Sequence, residues 1–346
     1  MIINLLIGIA VLSAIILIHE LGHFITAKAG GVKVEEFGLG FPPRLLSLKR
    51  GETRYSLNAI PFGGFVKMAG EEDPEVPGSL AGKKRGTRLL IISAGSLMNL
   101  LLALLLFSTS YLFPRASETG RVEVLMVAPE SPAAAAGIEA GDIILSVNNQ
   151  SVDSHDKLNR YITDNLGKEI TLLVQHPDSA PREVRLIPRP QPPENEGAIG
   201  IAIRTVRLYP LWQAIPRGAA ELVNTVIMWG AGLASIFTGE ASGSLIGPVG
   251  LVQLTGEVAG FGLLPLLRIA AMISLILGIM NLLPLPAIDG GRIAFLFLEW
   301  VRRGKRISPR AEAMVHLIGL ALFLLLFLAI TYQDIIRIIN RETLIP

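Results

Sequence analysis

The sequence predicts an α-helical polytopic membrane protein of about four transmembrane helices. A membrane-associated β-hairpin and one small α+β domain complete it. Three observations carry this expectation. Apolar residues are 51% of the 346 residues, and the mean hydropathy is +0.52, high for a water-soluble chain. The apolar residues gather in runs close to the ~20 residues that cross a bilayer. Residues 121–190 differ, with short alternating stretches set between turn residues.

Ile2 to about Phe24 is the first span. Met1–Ile18 has no charged residue and no obvious cleavage site, so it reads as a retained span rather than a signal peptide. Thr26–Arg88 is short and rich in lysine and arginine, which marks a cytoplasmic loop. Within it, Arg54–Ile60 and Phe62–Met68 read as strands, separated by Pro61. Gly63 and Gly64 permit close backbone approach, so the second strand can serve as an edge that pairs with an extended substrate. Leu89–Phe113 is the second span, interrupted by Gly95, Ser96 and Asn99. These suit close helix packing and a hydrogen bond between helices, with a role lining the active site as the competing reading.

The small domain follows on the outer side. Val122–Val127, Ile143–Asn148, Ile170–Gln175 and Glu183–Leu186 read as strands, and His155–Asn165 as a helix. Ser131 can cap a short helix, with Pro132 in its first turn and Gly137 at its end. His155 and His176 have no partner at ligand spacing and read as surface residues. Pro188–Pro193 is a linker, and Glu194–Val206 can add a strand. Leu208–Thr238 carries Pro216, Arg217 and Glu221 and reads as an interfacial amphipathic helix, with a further span as the competing reading. Ser242–Gly250 reads as a turn or close packing point.

Leu263–Leu283 is the next span, and Pro284 and Pro286 break it. The basic stretch from Arg292 to Arg310 is again cytoplasmic. His316–Tyr332 is the last span, with His316 expected at the interface, and the tail from Gln333 lies outside. The expected domains are 1–120, 121–190, 191–262 and 263–346.

The chemistry centres on His19-Glu20-Leu21-Gly22-His23. Positions four apart share a helix face, so His19 and His23 can bind one metal ion. Glu20 is placed to act as a general base. Ionisable groups in an apolar span are costly and so mark function. The chain has no cysteine, so disulfides and thiolate ligands are excluded and zinc would need histidine, carboxylate and water. Asp289 is the best placed third ligand, because the proline break lets it turn toward the first helix, with Glu71 and Asp73 as alternatives. A net charge of +2 is too small to indicate nucleic acid.

These residues resemble the site-2 protease family of intramembrane zinc metalloproteases, and more narrowly its bacterial regulator-of-sigma-E-protease branch with a single PDZ domain. His19–His23 matches one family motif, and Asn281 to Asp289-Gly290 another. Gly63–Met68 is similar to the membrane-reentrant β segment, Gly247-Pro248-Val249-Gly250 to a further recurrent segment, and Val122–Arg189 to a PDZ domain. The resemblance implies Zn2+ on His19, His23 and Asp289, with Glu20 as the catalytic base. It implies Asn281 near the substrate backbone, and the segment holding Gly63, Gly64 and Phe65 is expected to bind substrate too. The implied substrate is a single-pass membrane protein, such as an anti-sigma factor or a remnant signal peptide. The bilayer is the other partner, and the PDZ domain a size filter or reader of a C-terminal carboxylate. The implied location is the bacterial inner membrane. Where the family has proline in its second span, this chain has Ser96. Two readings compete. A silent scaffold that binds partners through its PDZ domain has no need of Glu20. A metal transporter would need more than one ligand set at a single depth.

Overall fold

The computed structural model describes residues 2–71, 73–177, 179–193, 196–238, 246–305 and 307–340. Parts of three sequence expectations, residues 194–195, 242–245 and 341–346, lie outside this set, as do Glu72 and Arg306. In chain order the elements begin α1 (Ile2–Ala29), β1 (Val34–Arg50), β2 (Thr53–Met68) and α2 (Arg85–Ser110). Next come β3 (Arg115–Val127), α3 (Pro132–Ala135), β4 (Ile143–Val147), β5 (Gln150–Ser151), α4 (His155–Thr163), β6 (Ile170–Gln175), β7 (Arg182–Leu186) and β8 (Ile201–Arg207). Five helices follow: α5 (Leu211–Thr238), α6 (Pro248–Ala259), α7 (Leu263–Met280), α8 (Asp289–Val301) and α9 (Pro309–Ile339). The chain forms two compact units, a helical one of residues 1–110 with 215–346, and a sheet unit of residues 111–214.

Among the described residues of the helical unit, α1, α2, α7 and α9 are the four helices long and apolar enough to cross a membrane. Small residues set the approach of the first three. A Cβ on Gly22 of α1 would lie 2.5 Å from the Ala94 carbonyl oxygen of α2. One on Gly278 of α7 would lie 3.1 Å from the Ser96 carbonyl oxygen. Ser274 of α7 donates to the Asn99 carbonyl at 2.8 Å. The helix α2 runs unbroken through Ser96. Around these contacts lie two apolar clusters, one built on Leu12, Ile15, Val252 and Ile273, the other on Ala103, Phe107, Ala271 and Leu275. In α5, Leu222 and Val226 pack on the second cluster, and Glu221 pairs with Arg268 of α7.

Two helices were not anticipated, α6 and α8. The start of α6 is held by Asp334 of α9, which is 1% exposed and accepts from the amides of Gly247 at 3.3 Å and Gly250 at 2.8 Å. A buried carboxylate thus satisfies backbone donors that a helix start leaves open.

The β1–β2 sheet differs from the simple hairpin expected from Arg54–Ile60 and Phe62–Met68. Both strands bend. Phe37 pairs with Val66 on one side and with Tyr55 on the other, and Tyr55 also pairs with Leu48. Residues 34–39 therefore lie between the two halves of β2, which do not pair with each other there. Pro42 and Pro43 sit at the bend, where Phe41 and Arg44 carry the flanking pairs. Residues 64–68 form the outer strand, and only β1 pairs with them among the described residues.

The sheet unit has strand order β7-β6-β4-β3-β8, all antiparallel, with β5 paired to β4. Its core joins Val122, Ile144, Leu158, Ile170 and Leu172, each at most 1% exposed. Period-two burial in β6 and the apolar face of α4 bring them together. Ser131 accepts from the Ala134 amide at 3.2 Å and Gly137 has φ +73°, as their positions predicted. His176 pairs with the buried Asp142 at 2.8 Å.

Candidate metal centre

Helical spacing puts His19 and His23 on one face of α1, toward α2, where they are 7% and 5% exposed. Their Nε2 atoms lie 3.2 Å apart. The third group arrives from the far end of the chain. After α7 the prolines of residues 282–288 stop the helix, and α8 starts at Asp289. Asp289 Oδ2 is 3.1 Å from each histidine Nε2. Glu71 is instead paired with Arg292 and accepts from the Met68 amide. Asp73 accepts from the Glu75 amide. Neither alternative joins the histidines, whereas His19, His23 and Asp289 form a group able to hold a metal ion.

Do these residues fit a metal? His23 Nδ1 lies 2.8 Å from the Ile91 carbonyl oxygen. A carbonyl accepts only, so Nδ1 carries the hydrogen and the Nε2 lone pair of the neutral ring faces the centre. On the other side of His19, Asn99 approaches Nδ1 at 3.5 Å. Space for an ion is left by Gly95 of α2. A Cβ there would lie 2.4 Å from His23 Nε2 and 2.6 Å from His19 Nε2. Two imidazoles and one carboxylate are a zinc donor set that leaves a position open.

A cavity of about 470 Å³ opens beside the centre, lined among others by Glu20, His23, Phe65, Asp289, Arg292 and His316. Gly63 (φ +76°) and Gly64 bring β2 against α1. A Cβ on Gly64 would meet Gly38 O at 2.8 Å and the Glu20 stem at 3.6 Å. The structure thus gathers His19, Glu20, His23, Asp289, Gly64 and Phe65. It does not bring Asn281 in, since that residue caps the end of α7 and is not among the cavity's lining residues. Sequence reasoning left Gly95 between helix packing and lining the site, and set His316 at an interface. The only sequence signal for Gly95 was a small residue in an apolar span, and His316 had none.

An N2O donor set in an apolar helical unit, beside a carboxylate and a strand that is paired on one side only among the described residues, is chemistry suited to a metal-dependent hydrolase of the membrane. Comparison with known proteins narrows this class. The chain belongs to peptidase family M50, the site-2 protease type, whose family model matches residues 7–326. A protein of Clostridium acetobutylicum, whose name ascribes to it a zinc metalloprotease activity, is 37% identical over 97% of this chain and 98% of its own length. A similarly named protein of Clostridium perfringens is 37% identical over 94% of this chain and 96% of its own. The zinc metalloprotease RasP of Oceanobacillus iheyensis is 27% identical over 95% of this chain and 98% of its own. Among solved structures, the PDZ domain of an SdrC-like protein from Listeria monocytogenes covers 26% of this chain and 92% of its own, at 21% identity and a TM-score of 0.22. The protein is a zinc metalloprotease with membrane helices.

Proposed function

We propose that this metalloprotease hydrolyses a peptide bond within or next to the transmembrane segment of a single-pass membrane protein, with His19, His23 and Asp289 as zinc ligands and Glu20 as general base. The observation that carries this is the meeting of Asp289 Oδ2 with both histidine Nε2 atoms at 3.1 Å, in the cavity that Glu20 lines. Zinc bound there supplies a Lewis acid that acidifies water and polarises a carbonyl. Glu20 takes the proton of the attacking water and passes it to the leaving amine nitrogen. Gly95 keeps the ions' seat open, and the Ile91 carbonyl holds the His23 ring in its ligating tautomer.

A helical substrate hides its amides in internal hydrogen bonds and must unwind before attack. Residues 64–68 offer backbone groups for an extended segment, which adds to the sheet as a further strand. Gly63, Gly64 and Phe65 lie on this path, and Asn281, at the end of α7, is the proposed further contact with the substrate backbone. The basic segments around β1–β2 and after α8 favour a cytoplasmic position for the centre. In this reading the protein sits in a bacterial inner membrane, and residues 121–190 form an outer PDZ domain that screens substrates by size or reads a freed C-terminal carboxylate. An anti-sigma factor or a remnant signal peptide fits such a substrate.

The test compares wild type with Glu20→Gln, purified in detergent at equal zinc content, on a tagged single-span substrate. Cleavage should fall by about 10²–10⁴-fold in the variant, and a zinc chelator should abolish it in the wild type. Equal cleavage by both proteins would remove Glu20 from the mechanism. The competing scaffold reading predicts no cleavage by either protein, on any single-span substrate.

A further inference from the structure

We propose that His316 of α9 is a positioning residue for Asp289, acting through the backbone of Ala287. The inference rests on the metal-centre reading above. It starts from the segment that carries Asp289 to the histidines. Ala287 has φ +71°, a left-handed conformation that costs a residue with a Cβ and persists only where its surroundings hold it. The Ala287 amide donates to His316 Nδ1 at 3.0 Å. That acceptor comes from a different helix and fixes the backbone two residues before Asp289.

The ring that accepts this bond is itself held. Its centroid lies 5.5 Å from that of Phe295 in α8. Gly291 leaves room for it, since a Cβ there would approach His316 Cε1 to 3.1 Å. Gly319, on the same face of α9, lets Pro286 lie where a side chain would be, as a Cβ would stand 2.1 Å from Pro286 Cβ. Two glycines thus admit the ring and the proline, and the ring grips the residue between that proline and Ile288. Beyond this contact the apolar residues of α9, such as Leu322, Leu325 and Leu328, are exposed. His316 also lines the cavity with Asp289, Glu20 and His23. To accept at Nδ1 the ring must present a lone pair there, so its hydrogen is on Nε2.

The chemistry gives a test that separates an acceptor from mere bulk. Asparagine places Oδ1 at the same bond distance from the backbone as Nδ1. Glutamine places its amide where Nε2 stands, and leucine offers no acceptor. Zinc affinity is measured on the full chain in detergent by competition with a chromogenic chelator, and circular dichroism checks the fold of each metal-free variant. His316→Leu and His316→Gln should weaken zinc binding by about 10–100-fold, and His316→Asn should recover most of that loss. Wild-type affinity in His316→Leu, or recovery in His316→Gln equal to that in His316→Asn, overturns the inference. If His316→Leu does not fold, the asparagine and glutamine variants still decide. His19→Ala is measured beside them. Wild-type zinc affinity there would overturn the metal-centre reading itself. Loss in His19→Ala with no loss in the His316 variants would overturn this inference alone.

Discussion

In the sheet unit the residues shut away are Val122, Ile144, Ile170, Leu172 and their neighbours, and its buried acid Asp142 is answered by His176 and Arg182. In the helical unit His19, His23, Ser96, Asn99, Glu299 and Asp334 are buried, while Leu320, Leu322, Leu325 and Leu328 of α9 are exposed. The contrast follows from the solvent. A unit in water gains by hiding apolar surface. A helix in lipid gains nothing by hiding leucine, so packing and polar contacts hold the unit together. Inside a membrane protein, buried polarity is therefore the better guide to the parts that matter.

The comparison can be broken at several places. The largest effect is expected at Gly95, since a methyl group there enters the space beside the His19 and His23 Nε2 atoms. Gly95→Ala should lose more zinc affinity than the ~10–100-fold typical of a change outside the ligand set. Retained zinc, measured by competition with a chelator, would show that the ligands can move aside. Next is a pair of leucines. Leu172→Ala, at 0% exposure in the sheet core, should destabilise its unit by about 2–5 kcal/mol. Leu325→Ala, at 65% exposure on α9, should stay within about 0.5 kcal/mol. Thermal unfolding in detergent reads both, and equal losses would abolish the contrast. A smaller loss, about 1–3 kcal/mol, is expected for Asp334→Ala, which strips the Gly247 and Gly250 amides of their acceptor.

The smallest effect concerns Asp153, whose carboxyl is held below its ordinary value of 3.8 by the hydrogen bond from Lys157, against slight desolvation. A depressed carboxyl contributes stability above its unfolded pKa and loses it as pH falls through the folded one, so the window lies below 3.8. The pair is exposed and screened, so Asp153→Ala should leave the melting temperature near neutral pH unchanged within error. A clear drop there would mean that this surface pair is stronger than exposure allows.

Much of this could be read from the sequence where one residue pattern dictates one outcome. The His19–His23 spacing, the Ser131 cap and the alternation in Ile170–Gln175 are local signals, and each appears where it was placed. What escaped depends on distant partners. The helix α6 carries Gly250 and Gly256, which let it approach Asp334 and the Asn4 carbonyl. It is apolar on several sides, so no helical stripe marks it. β1 holds Pro42 and Pro43, acceptable only because the strand bends there. The halves of β2 look like partners in sequence, but residues 34–39 come between them. His316 had no motif, since its partner is a backbone amide on another element.

The buried carboxylate of Asp334 has a consequence for biosynthesis. It lies near the end of α9, yet it completes the start of α6, which is made earlier. Until Asp334 is in place, the Gly247 and Gly250 amides lack their acceptor. A chain cut short before Asp334 would carry His19, His23 and Asp289 and still hold an unfinished α6.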